Sequence, residues 1–473
     1  MAIYEPVIGL EVHCQVSTVS KIFCGCSTAF GAAPNAQTCP VCLGLPGALP
    51  VLNEKVVEFA LRAGLALGCK INPRSVWSRK NYFYPDLPKG YQISQYDQPI
   101  CLGGAVPVGA KSIALTRIHM EEDAGKNIHG GAASLVDLNR AGVPLLEIVG
   151  EPDLRSAEEA ANYLRALRGV LVWLGITDGN MEEGSLRCDA NVSLRPAGTE
   201  KFGTRCELKN INSFRNVRLA IESEIVRQTA LLEAGERIVQ QTRQFDAATG
   251  QTKPMRSKEE AHDYRYFPEP DLPPVLIDTE WIERVRATLP ELPGARAARY
   301  EKEHALSAYD ASQLTQSRRL ADLFDAAVVA SSGKSAKKIA NWLAGELARM
   351  VNAGEADVEA LKFTPAQLAA LQGAVDGGAI SLGAAKEVFG EMAKTGTAPE
   401  AIISARGLTQ VSDRGPIEVA CDKAIAANPA EVEKYRGGKK GVIGFLVGQV
   451  MKELAGRGNP QIVNQVMREK LGG

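Results

Sequence analysis

The stretch Ile8-Gly9-Leu10-Glu11-Val12-His13 alternates apolar and polar side chains, which is the pattern of a β-strand with one buried face. Leu10 and Val12 would face a core, whereas Glu11 and His13 would share the opposite face. Similar runs recur along the first part of the chain, separated by Gly, Pro and Asn. The segments that we predict as strands are residues 7–15, 112–122, 143–149, 185–194 and 204–209.

Helical signals lie between these strands and dominate the last third of the chain. Ser156-Ala157-Glu158-Glu159 is a capping box, and it predicts a helix that ends near Gly175. Beyond the proline-rich segment 267–274, alanine-rich helical periodicity takes over. We therefore predict an α+β fold, with a largely antiparallel β-sheet domain followed by all-α domains. The predicted domains are residues 1–290, 291–405 and 406–473.

Length and composition are those of a folded protein with more than one domain. The chain has 473 residues, of which 45% are hydrophobic and 23% charged. Its net charge of −1 indicates no general affinity for nucleic acid, so any basic surface would be local. Residues 1–6 lack a secretory signal pattern, and the apolar segment 441–451 is far shorter than the roughly 20 residues that cross a bilayer. We expect a cytoplasmic protein.

Acidic residues recur on the polar faces of the predicted strands. Glu11, Glu147, Asp189 and Glu207 each have a His, Arg or Lys nearby in the sequence or on another such strand. A solvated sheet face would explain any single strand about equally well. Carboxylates suit Mg²⁺, however, and Arg and Lys neutralise phosphate, so the combined pattern favours a metal and a nucleoside triphosphate. Because the sequence has no complete P-loop or GxGxxG motif, a nucleotide would bind this face by a different arrangement.

Four of the ten cysteines form two close pairs, Cys24-Gly25-Cys26 and Cys39-Pro40-Val41-Cys42. This spacing favours a closed tetrahedral zinc site with a structural role. Four free thiols and an iron–sulfur cluster are the alternatives. The remaining cysteines are isolated in the sequence, and we predict that they pack in the core.

Two segments mix aromatic rings with cations, at residues 79–91 and 263–268. These rings would stack bases or line a polar conduit, or they would be core aromatics beside snorkelling cations. The tail from Pro429 to Gly473 carries eight Lys or Arg against four Glu, a difference of +4. Lys439 and Lys440 lie in its glycine-rich loop and are candidates for contact with a nucleic-acid phosphate backbone, the alternative being a solvated loop.

Several long motifs of this sequence also occur together in one known family. They lie at residues 8–13, 79–86, 115–126, 181–191, 207–210 and 263–271. In these motifs, and essentially from end to end, the chain resembles the B subunit of the aspartyl/glutamyl-tRNA amidotransferases. The resemblance implies a cradle-like catalytic domain related to glutamine synthetase and guanido kinases, a helical domain, and a small tail domain that contacts tRNA. The four cysteines match the zinc-bearing version of the family.

The resemblance also implies an activity and partners. The chain would be part of a ligase that uses ATP to phosphorylate the side-chain carboxylate of Glu-tRNA(Gln), Asp-tRNA(Asn) or both. Ammonia from glutamine would then displace the phosphate. Because we find no glutaminase nucleophile in this sequence, the ammonia would come from a partner amidase, the A subunit, in a heterotrimer completed by a small C subunit. A zinc-containing tRNA-binding scaffold without enzymatic activity and a stand-alone metal-dependent hydrolase are the alternatives.

On this basis we predict the residues of the site. The predicted magnesium ligands are Glu11, His13, Glu122, Glu147, Asp189 and Glu207, all of which except Glu147 are also predicted to be catalytic. Histidine is an uncommon magnesium ligand, so His13 would bind indirectly or favour a softer ion such as Mn²⁺. The predicted ligands of ATP are Ser185, Arg187, Lys209 and Arg265. By resemblance, Lys89 would lie on the ammonia passage between subunits.

Overall fold

The structure is a computed structural model that describes residues 3–130, 133–255 and 264–472. The chain divides into two compact units, Met1–Leu292 and Pro293–Gly473. Asp263, the first residue of one aromatic-basic motif, lies outside the described residues, and the motif continues within them from Tyr264. Among the described residues, no helix has the length and apolar character needed to cross a membrane.

Strands and helices alternate irregularly in the first unit. Its strands are β1 (Tyr4–Gln15), β2 (Lys70–Ile71), β3 (Arg74–Ser75), β4 (Ser78–Asn81), β5 (Tyr91–Ser94), β6 (Cys101–Leu102), β7 (Ala105–Val108), β8 (Lys111–Glu122), β9 (Lys126–Gly130), β10 (Ala133–Asp137), β11 (Pro144–Gly150), β12 (Leu186–Pro196), β13 (Cys206–Lys209), β14 (Thr242–Asp246), β15 (Gln251–Pro254), β16 (Phe267–Pro268) and β17 (Val275–Leu276). Its helices are α1 (Glu54–Ala66), α2 (Ala157–Trp173), α3 (Phe214–Glu233) and α4 (Thr279–Ala287).

One large sheet organises this unit. Its order is β15-β14-β13-β12-β1-β11-β8-β6-β2, and β7 also pairs with β8. The described pairs are antiparallel except β13–β14, which is parallel. Smaller sheets join β16, β4 and β5, β9 with β10, and β3 with β17. The predicted α+β fold with a largely antiparallel N-terminal sheet is confirmed; its kinship with glutamine synthetase and guanido kinases stays a prediction.

The alternation in β1 separates a core face from a polar face. Leu10 and Val12 are at most 1% exposed and belong to the same core as Leu61 of α1, Leu164 of α2 and Ile221 of α3. Helices therefore cover the apolar side of the sheet, and the polar side chains of β1 lie on the other side. That second face carries most of the residues that we predicted for the site.

The helix predicted after residue 155 begins and ends as its sequence indicates. The Ser156 side chain accepts a hydrogen bond from the Glu159 amide at 3.1 Å, and the Glu159 carboxylate accepts one from the Arg155 amide at 2.8 Å. The helix ends at Trp173, and Gly175 follows with a φ of 69° that suits glycine.

The described residues of the second unit form helices joined by loops, with one isolated β-bridge between Val411 and Gly458. Its helices are α5 (Pro293–His304), α6 (Ala308–Leu314), α7 (Arg318–Ala330), α8 (Ala336–Asn341), the π-helical turn Trp342–Leu347, α9 (Ala348–Asn352), the 3₁₀ turn Val358–Ala360, α10 (Pro365–Asp376), α11 (Leu382–Thr395), α12 (Pro399–Arg406), α13 (Arg414–Ala427), α14 (Pro429–Arg436), the 3₁₀ turn Lys440–Val442, α15 (Ile443–Glu453) and α16 (Pro460–Leu471). Helices α13 to α16 share a hydrophobic cluster of their own. The predicted division of this unit at residue 406 stays a prediction.

Candidate active site

A row of polar residues crosses four neighbouring strands on the polar sheet face. His13 of β1 is the register partner of Arg187 on β12 and of Glu147 on β11, and Glu147 is the partner of His119 on β8. Side chains of directly opposed residues point to the same face of a sheet. The row therefore brings together residues that are widely separated in the sequence.

The centre of this row is a compact cluster of His13, Glu121 and Glu147. The His13 Nε2 atom lies 3.6 Å from Glu121 Oε1 and 3.4 Å from Glu147 Oε2. Potential ligand atoms of the three residues all lie within 4.8 Å of one another. One imidazole nitrogen and two carboxylate oxygens are a donor set that fits a divalent cation, and the nitrogen favours ions softer than Mg²⁺.

His119 extends the cluster on the β8 side. Its Nε2 atom is 3.1 Å from Glu147 Oε2, and the side chain is only 3% exposed. Burial lowers the pKa of His119, but the attraction of Glu147 and Glu121 outweighs burial and raises this pKa to about 9. Burial alone would raise the pKa of Glu147. The attraction of His119 and His13 is stronger than this effect and lowers the pKa well below its usual value. Each imidazole and its neighbouring carboxylates thus favour one another's charged forms, and a bound cation would take over this role.

A second acidic group lies next to the cluster, toward β12 and β13. Glu11 is the register partner of Asp189, and Asn191 donates a hydrogen bond to Glu11 at 2.9 Å. Burial first, and then repulsion by nearby carboxylates, raises the pKa of Glu11. Lys209 Nζ lies 2.5 Å from Asp189 and 2.9 Å from Glu207, so both of these acids already have a cationic partner.

Glu122 is not brought together with the other predicted metal ligands. Successive residues of a strand point to opposite faces, so Glu122 lies on the opposite side of β8 from Glu121. There it pairs with Lys89 and accepts a hydrogen bond from the Ile93 amide at 2.9 Å. Glu121, which we did not predict, lies with His13 and Glu147 instead, and metal binding by Glu122 stays a prediction. The sequence contained a signal for Glu121, because residues two apart share one face of a strand and Glu121 lies two residues after His119.

The predicted cysteine pairs come together near Lys89. The thiols of Cys24, Cys26, Cys39 and Cys42 all lie within 4.8 Å of one another, which fits a tetrahedral thiolate site for zinc. Lys21, fully buried, places its Nζ 3.6 Å from the Cys42 sulfur. This cation would partly offset the negative charge of a four-thiolate site. Cys24, Cys42, Lys89 and Glu122 also line one cavity of about 130 Å³.

Two family models match the chain over most of its length. One is described as the GatB/GatE catalytic domain and matches residues 6–283, and the other is described as the GatB domain and matches residues 322–471. Three relatives, each named as the B subunit of an aspartyl/glutamyl-tRNA(Asn/Gln) amidotransferase, match essentially the whole chain. The protein from Anaeromyxobacter sp. (strain K) is 62% identical, with 99% of each chain covered. The proteins from Myxococcus xanthus and Geobacter sulfurreducens are 60% and 58% identical, with 99% of this chain and 99% and 100% of theirs covered.

This chain belongs to the B-subunit family of the tRNA-dependent amidotransferases. The enzyme of which it forms one subunit is a ligase of translation that takes glutamine as its amido donor. The designation as one subunit among several implies partners, and the family's reaction implies the use of ATP. The predicted family and activity class are confirmed.

Each of the predicted ATP ligands Ser185, Arg187 and Arg265 contacts a different residue of the first unit. Arg187 stands beside His13 in the polar row, and its guanidinium lies 2.8 Å from Asp123. The Ser185 hydroxyl donates to Asp178 at 3.3 Å, just before β12 begins. Arg265 lies in the loop before β16 with an exposed side chain and a left-handed φ of 43°. Its carbonyl accepts a hydrogen bond from the Asn81 side chain of β4 at 2.8 Å, so it adjoins the small sheet rather than β12 or β13.

Asp123 is a residue of the site that we did not predict. Besides Arg187, it accepts a hydrogen bond from Gln15 at 3.1 Å and lies 3.6 Å from Arg140. Burial raises the pKa of Asp123, but Arg187 and Arg140 reverse this effect and keep the carboxyl ionised. Asp123 therefore fixes the position of Arg187 next to the cluster. The polar face of β8, continued two residues beyond Glu121, was the signal for it.

The two tail lysines lie where the sequence indicated a loop. Lys439 precedes the 3₁₀ turn that Lys440 begins, and both are exposed. The Lys440 ammonium lies 4.2 Å from the centre of the Tyr435 ring, which is a cation–π contact. Their role in tRNA binding stays a prediction.

Proposed function

We propose that this chain phosphorylates the side-chain carboxylate of Glu-tRNA(Gln), Asp-tRNA(Asn) or both with ATP, and then amidates it with ammonia. The observation that carries the proposal is the buried cluster of His13, Glu121 and Glu147, flanked by Glu11 and by the cation of Arg187. Carboxylates that lie this close can bind a cation in place of the histidine protons, and a nucleoside triphosphate brings a metal ion with it. The resulting site would suit a phosphoryl transfer and has no counterpart in a simple tRNA-binding surface.

The chemistry requires activation because a free carboxylate has no good leaving group. In the first step, a carboxylate oxygen of the aminoacyl side chain attacks the γ-phosphorus and ADP leaves, which gives an acyl phosphate. In the second step, the nitrogen of ammonia attacks the carbonyl carbon, inorganic phosphate leaves and the nitrogen loses a proton. A divalent cation bound by the cluster and Glu11 would neutralise charge on the phosphates.

Arg187 and Lys209 would have different roles in holding the nucleotide. Lys209 is already neutralised by Asp189 and Glu207 and would mainly orient these two acids. Arg187 has a single ion-pair partner within 3 Å, Asp123, and its buried Nε has no hydrogen-bond acceptor among the described residues. The Arg187 side chain as a whole is 35% exposed, so its outer N–H groups can reach a phosphate oxygen, and we assign Arg187 to the triphosphate.

The opposite face of the sheet would serve the delivery of ammonia and the binding of the structural zinc ion. Lys89 and Glu122 form a buried ion pair, with side chains 10% and 4% exposed, beside the cavity that the cysteine site also lines. We assign this cavity to the ammonia route from the amidase partner, and the four cysteines to a structural zinc ion. The tail, residues 406–473, would contact tRNA through Lys439 and Lys440.

An amidation assay tests the proposal directly. The chain is assembled with its amidase partner and the small third subunit and given radiolabelled Glu-tRNA or Asp-tRNA, glutamine and magnesium, with and without ATP. We expect amidated tRNA only when ATP is present. Glu11→Gln should abolish the product, whereas the control Glu58→Gln, on the partly exposed side of α1, should not.

Two outcomes would contradict the proposal. Tight tRNA binding without amidation of either substrate would favour a binding scaffold. Activity without ATP or partner subunits would favour a hydrolase. In either case, the acidic cluster would need another explanation.

A further inference from the structure

Four tyrosines lie beside the acidic cluster and have no part in the proposed chemistry. The rings of Tyr96 and Tyr266 are parallel, with centres 4.3 Å apart and planes 9° apart. Tyr264 meets Tyr266 edge to face at 6.2 Å, and it meets Tyr82 in the same way at 6.1 Å. We call these four residues the tyrosine platform.

The platform is attached directly to the cluster through β5. The Ser94 hydroxyl, at the end of this strand, donates a hydrogen bond to Glu121 at 3.2 Å. Tyr96 follows two residues later, and an extended chain advances about 3.3 Å per residue, so the two backbones are at most about 7 Å apart. Stacking on Tyr96 would therefore take place next to a carboxylate of the candidate metal site.

Lys80 marks a second connection between the platform and the cluster. Its ammonium lies 4.9 Å from the centre of the Tyr264 ring. Burial lowers the pKa of Lys80, but the nearby charges of Glu121 and Glu147 more than compensate and raise it. Lys80 thus gives the platform a cationic side chain at the Tyr264 ring.

The exposure of Tyr96 distinguishes the platform from ordinary core packing. Tyr96 is 48% exposed, although Tyr266 covers one face of its ring. Its outer face is consequently open to another flat ring. Proteins that bind single-stranded nucleic acid use aromatic side chains of this kind as stacking surfaces, often beside basic residues.

We propose that the tyrosine platform stacks the terminal base of the aminoacyl-tRNA, an inference that rests on the proposed function. About six bonds of roughly 1.5 Å each join the side-chain carboxyl of a glutamyl ester to the terminal ribose, which places that ribose within roughly 8 Å of the reacting carboxyl. The terminal base must therefore lie beside the cluster, as the platform does. Its edge groups would be free to accept hydrogen bonds from Lys80.

The sheet order favours the tRNA end over the adenine of ATP as the occupant. The candidate phosphate ligand Arg187 and its neighbour Lys209 lie on β12 and β13, on one side of β1. The platform adjoins β8 through Ser94, on the other side of β1. ATP would thus approach from the β12 side and the acceptor end of tRNA from the β8 side, with their reacting groups meeting at His13.

A binding experiment isolates the terminal base. The assembled complex is titrated with tRNA that carries its terminal adenosine and with the same tRNA lacking it. Loss of one base stack changes affinity by roughly 5- to 150-fold, so wild type should prefer the intact tRNA by at least about fivefold. Tyr96→Ala should bind both tRNAs alike, and Tyr96→Trp should restore the preference. Tyr309→Ala, which alters a tyrosine of α6 that is 69% exposed, is the matched control and should behave as wild type.

Steady-state kinetics distinguish stacking of the terminal adenine of tRNA from stacking of the adenine of ATP. Tyr96→Ala should raise KM for the aminoacyl-tRNA at least about fivefold and leave KM for ATP within twofold. A rise in KM for ATP alone, or an undiminished preference of Tyr96→Ala for intact tRNA, would overturn the assignment. So would a wild type that binds both tRNAs equally. Failure of the proposed function would be seen separately, as absence of amidation by wild type.

Discussion

Replacing Glu121 and Glu122 one at a time should separate the chemistry of the two faces of β8. Glu121 is 2% exposed and lies 3.6 Å from His13 Nε2, in the cluster that we assign to metal binding. Glu121→Gln keeps the shape of the side chain and removes its charge. Residues that merely orient metal ligands change affinity by roughly 10- to 100-fold, so loss of a charged ligand should raise the magnesium concentration for half-maximal activity at least about 100-fold.

Glu122→Gln should instead act on stability. It leaves the buried Lys89 ammonium without its anion, and removal of one partner from a buried pair costs roughly 3–5 kcal/mol. The glutamine oxygen still accepts the hydrogen bond from the Ile93 amide, which places the expected loss near the lower value, about 3 kcal/mol. The magnesium requirement should stay within about threefold of wild type, because Glu122 does not face the cluster.

The assay for the pair is ATP hydrolysis that depends on aminoacyl-tRNA, titrated with magnesium, together with urea unfolding followed by circular dichroism. ATP hydrolysis is preferable to amidation here because it does not require ammonia to reach the site. We expect Glu121→Gln to change the magnesium midpoint and Glu122→Gln to change the unfolding free energy. If Glu122→Gln shifted the magnesium midpoint and Glu121→Gln did not, the assignment of faces on β8 would be wrong.

Three further predictions concern other parts of the chain. Lys21→Met should speed the release of zinc to a chelator roughly 10- to 100-fold, as followed with a chromogenic dye, because the Cys42 sulfur loses its cationic neighbour; an unchanged rate would exclude this role. Burial raises the pKa of Asp325, but Arg299 and Arg296 lower it below its unfolded value, so its stabilising effect is complete above about pH 4 and is lost as pH falls through the native pKa. The difference in urea stability between wild type and Asp325→Asn should therefore shrink on acidification, and a constant difference would contradict the ion-pair explanation. Deletion of residues 406–473 should weaken tRNA binding in a filter assay without preventing assembly, and undiminished affinity would remove the tail from the tRNA interface.

The sequence alone predicts the faces of the strands but not their neighbours. Period-two alternation assigns Glu11 and His13 to the polar side of β1, and the structure agrees. The adjacency of His13 with Glu147 depends on hydrogen-bonded register between distant segments, which no local pattern encodes. The neighbouring strands were therefore an assumption at the level of sequence, and only the fold brings these side chains together.

The separation of Glu122 from the other predicted ligands has a different cause. The motif around residues 119–123 contains three consecutive acids at the end of a strand, where apolar neighbours no longer mark the faces. The alternation remains readable from His119, but only if the strand continues unbroken to Glu122, as the structure shows that it does. Tyr96 was missed because it lies in a loop outside both aromatic-basic segments, and loop geometry follows from tertiary contacts rather than from periodicity.

The end of β8 explains how one strand can serve both sides of the site. Consecutive residues are about 3.8 Å apart along the backbone, yet their side chains point to opposite faces. Glu121 therefore reaches the candidate metal cluster, while Glu122 reaches Lys89 and the cavity beside the cysteine site. On the proposed function, ammonia that arrives along the cavity is already separated from the activated carboxyl by little more than the thickness of this strand. A short separation of this kind would let the acyl phosphate meet ammonia before water, which is the selectivity that an amidotransferase requires.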